Sequence, residues 1–132
     1  MKEINLTYII DDDPVVLQIN NIILKNHPSF IKTALFDYAD DALDEIKEAA
    51  NKNTTIPDLI LLDLNMPIMD GWRFLEGLSE IKKNNQIPVV ILTSSIDPRD
   101  IISAKKFKNV LDYISKPLDL SKLDSILELM NS

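Results

Sequence analysis

The sequence contains no cysteine and a single histidine, His27. Disulfides and thiolate metal sites are thereby excluded, and so is a histidine-rich metal centre. The first residues, Met1-Lys2-Glu3-Ile4-Asn5, lack the apolar stretch of a signal peptide. No run approaches the ~20 apolar residues needed to cross a bilayer, so a cytoplasmic location is expected. There is no internal repeat, low-complexity tract or linker. A formal charge of −7 disfavours a non-specific grip on nucleic acid, whose phosphates it would repel. The same charge is compatible with a carboxylate cluster that needs a cation. What remains is an ordinary globular composition, 45% apolar and 27% charged over 132 residues, which suits one domain with one core.

Short β-type runs alternate with helical patterns, the signature of repeated βα units. Residues Leu6 to Ile10 read as a first strand. Asp11-Asp12-Asp13-Pro14 follows, with Asp13 suited to cap a helix and Pro14 to its first position, where a missing N–H is harmless. That helix should run to about Asn26, and His27-Pro28 ends it. A second strand spans Ile31 to Leu35, and Ala39, Ala42, Leu43 and Ile46 share one face of a second helix. Asn51 to Pro57 is a polar connection. The continuous apolar run Leu59-Ile60-Leu61-Leu62 predicts a strand buried on both faces. Asp63 to Gly71 is a loop, followed by a helix with Phe74, Leu75, Leu78 and Ile81 inward. Pro88 to Leu92 is another apolar strand, and Asp97-Pro98 repeats the cap-and-proline start of a helix. Asn109 should end that helix in a left-handed conformation. Leu111 to Ser115 is the fifth strand, closed by Lys116-Pro117. Leu120, Leu123, Ile126, Leu127 and Met130 give the last helix its buried face.

Five strands alternating with five helices imply a doubly wound parallel sheet. Function in such sheets gathers outside the carboxyl ends of the strands. Those ends carry Asp11 and Asp12, Asp63, Thr93 and Lys116: three carboxylates, a hydroxyl and an ammonium on one rim. Two unit charges ~5 Å apart at an effective dielectric of ~20 repel by about 3 kcal/mol, so the carboxylates call for a cation. All-oxygen ligation favours Mg²⁺, with Mn²⁺ as an alternative. Lys116 supplies a compact positive charge suited to a phosphoryl oxygen, and Thr93 a hydroxyl donor. A carboxylate nucleophile in that company fits phosphoryl transfer to aspartate.

At these positions the chain resembles the response-regulator receiver family, the single-domain, chemotaxis-regulator-like members of two-component phosphorelays. The matching elements are Asp11-Asp12, the run Asp63-Leu64-Asn65-Met66-Pro67-Ile68-Met69-Asp70-Gly71, Thr93-Ser94-Ser95, and Tyr113-Ile114-Ser115-Lys116-Pro117. The resemblance covers nearly the whole chain and implies a flavodoxin-like (βα)5 fold with strand order 2-1-3-4-5. It implies that Asp63 attacks a phosphohistidine of a sensor histidine kinase or histidine phosphotransfer protein, or a small phosphodonor, and becomes an aspartyl phosphate. Asp12 would ligate Mg²⁺ directly, Asp11 mostly through water, and the Asn65 carbonyl would complete the protein ligands beside Asp63. Lys116 would pair with Asp63 and then with the phosphoryl group. Thr93 would hydrogen-bond a phosphoryl oxygen, Tyr113 would reorient in response, and Ser94 is small enough to leave phosphoryl access. The altered surface of helix 4, strand 5 and helix 5 would then meet a downstream protein, with no direct nucleic-acid or membrane contact. Such a domain is a signalling phosphoacceptor rather than an enzyme, although it catalyses its own phosphorylation and slow dephosphorylation. No output domain follows the last helix, so residues 1–132 are expected to form a stand-alone receiver. The chain is also similar, more weakly, to small regulators that serve phytochrome-type kinases. It departs from the family in Lys108-Asn109-Val110, which lacks the usual Gly-Ala, and in the length of the connection before the third strand.

Plainer readings compete at several positions. Asp13 is better explained as a helix cap than as a metal ligand, and Asp70-Gly71 as a turn and cap than as chemistry. A calcium loop starting at Asp63 fails, because Pro67, Ile68 and Phe74 stand where that loop needs a ligand, a glycine and a glutamate. Trp72 reads as packing and His27 as a surface residue near a helix end rather than a phosphate carrier. The alternative function is a Mg²⁺-dependent aspartate-nucleophile phosphohydrolase. That chemistry wants a second acid two positions after the nucleophile, where Asn65 stands, and a cap domain that this length does not hold.

Overall fold

Five strands and five helices alternate in the computed structural model, which describes residues 3–81, 87–95 and 97–131. They run β1 (Ile4–Ile10), α1 (Pro14–Lys25), β2 (Phe30–Phe36), α2 (Ala39–Lys52), β3 (Leu59–Leu62), α3 (Gly71–Ser79), β4 (Val89–Thr93), α4 (Pro98–Ala104), β5 (Val110–Ser115) and α5 (Leu120–Met130). All neighbouring strands pair in parallel, in the order β2-β1-β3-β4-β5. This is the expected flavodoxin-like arrangement.

Alternation along the strands builds two cores, one on each face. Tyr8, Ile10, Ile60, Leu62, Val89 and Ile91 meet Leu43 and Ile46 of α2 and Phe74, Leu75 and Leu78 of α3. Ile9, Leu59, Leu61, Val90 and Leu92 meet Leu17 and Leu24 of α1 and Leu123, Ile126 and Leu127 of α5. The central strands β3 and β4 are buried throughout, as their unbroken apolar runs require.

Local chemistry fixes the helix starts. The Asp13 carboxylate accepts from Val15 N at 2.9 Å and Pro14 occupies the first position of α1. Asp97 caps α4 by accepting from Arg99 N at 2.9 Å, again ahead of a proline. Asp70 caps α3 through Arg73 N at 2.9 Å. The glycine after it is needed for space rather than for a turn angle. A Cβ on Gly71 would lie 2.7 Å from the Asp63 carbonyl oxygen and 2.9 Å from Leu64 Cα. Only glycine lets α3 start this close to the end of β3.

Several expectations are corrected. The last turn of α2 extends through Asn51 and Lys52, and the left-handed residue that ends it is Asn53, with φ 55°. Asn109 is not a helix end. Helix α4 stops at Ala104, and the Asn109 amide instead donates to the Ile87 carbonyl at 3.1 Å, tying the start of β5 to β4. Ile81 lies past the end of α3, and Leu120, expected inward, is exposed at the start of α5. His27 is buried rather than on the surface. Its Nδ1 accepts from Ser29 N at 3.1 Å, so Nε2 carries the proton and donates to Asp124 of α5 at 2.7 Å. The ring thus joins the end of α1 to the middle of α5 on one face of the sheet.

Candidate functional site

The ends of β1, β3, β4 and β5 bring Asp11, Asp63, Thr93 and Lys116 to one rim of the sheet. Asp11, Asp63 and Thr93 are buried and Asp12 is exposed. Carboxylate oxygens of Asp11, Asp12 and Asp63 all lie within 4.8 Å of one another. Three acidic oxygens at this spacing, on the carboxyl side of a parallel sheet, can hold a divalent cation.

Lys116 answers part of this negative charge. Its Nζ lies 2.7 Å from Asp11 Oδ2 and 3.5 Å from Asp63 Oδ2. The expected pairing with Asp63 is therefore shared, and Asp11 holds the shorter contact. Burial acts to lower the lysine's pKa, but the hydrogen bond it donates to Asp11 and the charges of both aspartates outweigh it, leaving the pKa raised. The Asp63 carboxyl is pushed above its usual range, first by burial and then by the charge of Asp11. Lys116, the Thr93 hydroxyl and the Leu64 N–H at 2.9 Å oppose that rise without cancelling it. A carboxylate kept at this cost in charge repulsion stands out among the aspartates of the chain.

The rest of the acidic run divides by role. Asp11 Oδ1 accepts from Asp13 N at 3.0 Å, which folds the turn and leaves Asp11 Oδ2 to Lys116. Asp13 is occupied with capping α1. Asp12 faces solvent at the mouth of the cluster. Asn65 is exposed in the β3–α3 loop, two positions after Asp63, and Ser94 is exposed just after Thr93.

Residues 7–128 match the family model described as the response regulator receiver domain. The chain belongs to that family. As a receiver domain it is 30% identical over 120 residues to the probable C4-dicarboxylate response regulator DctR of Bacillus subtilis, a match covering 91% of this chain and 49% of that protein. The chain spans about half the length or less of curated relatives such as this one. A two-component response regulator from Cytophaga hutchinsonii has a similar structure, with TM-score 0.88, 27% identity, and coverage of 99% of this chain and 100% of that one. The phosphorylated cyanobacterial phytochrome response regulator RcpA matches with TM-score 0.77 and 27% identity, covering 96% of this chain and 91% of that one. No helix among the described residues is long and apolar enough to cross a membrane.

Beyond the acidic cluster, the receiver carries a polar chain that sequence reasoning missed. Ser95 N donates to Thr93 Oγ1 at 3.3 Å, and the Ser95 hydroxyl donates to Asp100 of α4 at 2.6 Å. The Ser95 carbonyl accepts from the Tyr113 hydroxyl at 3.4 Å. Tyr113, expected to reorient on signalling, here reaches the β4–α4 loop with its phenol. Ser95 was visible only as part of the Thr93-Ser94-Ser95 motif, and nothing local marks it as a junction. Trp72 is packing, as expected, stacked on Phe107 with centroids 6.3 Å apart.

Proposed function

We propose that Asp63 is the phosphoacceptor of this receiver and that its reaction needs Mg²⁺. The observation that supports this most directly is the pairing of a buried, charge-repelled Asp63 with Lys116 Nζ 3.5 Å away, beside Asp11 and Asp12. An Asp63 oxygen attacks the phosphorus of a phosphohistidine in a histidine kinase or phosphotransfer protein. The P–N bond breaks, the imidazole leaves with a proton, and an acyl phosphate forms on Asp63. Asp11, Asp12, Asp63 and the Asn65 carbonyl are the residues that would hold Mg²⁺, whose charge would offset that of the incoming phosphoryl oxygens. Lys116 exchanges its contact with Asp63 for one with the phosphoryl group, and the Thr93 hydroxyl donates to a phosphoryl oxygen.

Output follows from Thr93. Its hydroxyl accepts from Ser95 N, and Ser95 in turn holds Tyr113 and Asp100, so drawing Thr93 toward a phosphoryl oxygen pulls on α4 and β5 together. One charge-assisted hydrogen bond of roughly 1.5–3 kcal/mol shifts a two-state population about 10- to 150-fold. The α4, β5 and α5 surface is then read by a downstream protein.

Intact mass after incubation with acetyl phosphate tests the reading. One phosphoryl group should be added with Mg²⁺, none with a chelator, and none in Asp63→Asn. Equal labelling of that variant would remove Asp63 from its role, and continuous turnover of the donor would favour a phosphohydrolase.

A further inference from the structure

Lys116 leaves β5 at a point where the backbone is held from two directions. Its own N–H donates to the Thr93 carbonyl of β4 at 3.0 Å. On the other side, β5 has no neighbouring strand among the described residues. There the ammonium of Lys122 donates to the carbonyl of Ser115 at 2.8 Å and to that of Pro117 at 2.6 Å. These two carbonyls bracket Lys116.

The location of Lys122 makes this arrangement unusual. It is the third residue of α5, and its N–H is taken by the capping carboxylate of Asp119 at 2.8 Å. A positive charge in the first turn opposes the helix dipole, which favours anions there. The side chain turns back from that unfavourable place onto two backbone acceptors. An ammonium carries three donors that can serve both carbonyls at once, and hydrogen bonds from a charged donor are stronger than neutral ones.

We propose that Lys122 is a positioning residue for phosphoryl transfer: by pinning the carbonyls on either side of Lys116, it sets where the Lys116 ammonium stands over Asp11 and Asp63. The inference rests on the reading that Lys116 meets the phosphoryl group. Lys122 itself touches none of the reacting atoms. Its effect comes through the 115–117 backbone, and small displacements of a positioned charge slow reaction strongly. The carboxylates that would hold the cation follow β1 and β3, outside the pinned segment, so loss of Lys122 should not weaken cation binding.

The test compares Lys122→Met, which keeps the chain length and loses the donors, with Lys122→Arg, which restores them. Initial labelling of Asp63 by acetyl phosphate at saturating Mg²⁺ should slow by about 5- to 10-fold in Lys122→Met, an expectation set by the sensitivity of positioned groups to misplacement. Mg²⁺ affinity measured calorimetrically should not fall below the wild-type value, and Lys122→Arg should recover most of the rate. Lys122→Leu, which also lacks a donor, replaces the Met variant if the latter does not fold. A wild-type rate in Lys122→Met, an equal fall in Mg²⁺ affinity, or an Arg variant as slow as the Met variant would each overturn the proposal. Lys116→Met run in parallel separates the two ideas: a wild-type rate there removes the reading of Lys116 itself.

Discussion

Lys116 stands nearer to Asp11 than to Asp63, at 2.7 Å against 3.5 Å. The ammonium therefore neutralises a carboxylate that would otherwise be open to a cation, so it would oppose cation binding as well as relieve repulsion. Lys116→Met should bind Mg²⁺ about 10-fold more tightly, the equivalent of ~1.4 kcal/mol, while accepting phosphate poorly. Calorimetric titration gives the affinity. Weaker binding in the variant would mean that Lys116 shapes the site rather than competing for its charge.

Asp63→Asn should stabilise the cation-free protein near neutral pH. Burial and Asp11 raise the Asp63 carboxyl in the folded state. As pH rises from the ordinary carboxylate range through that raised value, the unfolded chain releases its proton first, so stability is lost over this window. Asparagine has no proton to lose. In EDTA the variant should gain about 1 kcal/mol at pH 7, or roughly 3–5 °C in Tm. The gain should shrink toward pH 4 and below. A constant gain at all pH values would point to packing instead of charge.

The acidic run should separate under mutation. Asp12→Ala should weaken Mg²⁺ binding at least about 10-fold, whereas Asp13→Ser should leave it close to wild type, since serine keeps an oxygen for Val15 N. Asp13→Ala should instead lower stability by about 1 kcal/mol through the lost cap. Titration and thermal melts of the three variants together check the division.

Helix α1 turns Leu17, Asn20 and Leu24 inward and leaves Val15, Ile19 and Ile22 at 64%, 50% and 57% exposure. The outward stripe starts beside the acidic cluster. Val15→Ala, Ile19→Ala and Ile22→Ala together should slow transfer from a cognate kinase about 10-fold or more, with acetyl phosphate labelling and stability nearly unchanged. Equal slowing with both donors would show that the stripe supports the fold.

Thr93→Ala should still accept phosphate at Asp63 but respond weakly. The substitution removes both the donor to a phosphoryl oxygen and the acceptor for Ser95 N. Beryllofluoride, standing in for the phosphoryl group, should shift amide resonances of α4 and β5 in the wild type and far less in the variant. A full response in Thr93→Ala would leave Tyr113 and Ser95 as ordinary packing.

Much of this is legible in the sequence alone. Asp13-Pro14 and Asp97-Pro98 announce helix starts because capping and proline geometry depend only on adjacent residues. The buried runs Leu59–Leu62 and Val89–Leu92 announce central strands because only a strand covered on both faces needs no polar side. Strand ends are then known, and with them the residues of the rim. Tertiary structure decided what depends on distant neighbours. Lys116 is shared between Asp11 and Asp63 because its long side chain, leaving the edge strand β5, reaches past β4 to the ends of β3 and β1, and no spacing along the chain states which carboxylate is closer. Gly71 is needed because α3 starts against the Asp63 carbonyl, although the sequence offered only a turn. Asn109 looked like a helix end from its residue type, yet the Ile87 carbonyl of a neighbouring segment claimed its side chain. His27 looked exposed until α5 supplied Asp124 to partner its buried ring. Short-range chemistry set the elements and the membership of the site; the pairing of charges within it was set by the order of the strands in the sheet and by how far a lysine side chain reaches across their ends.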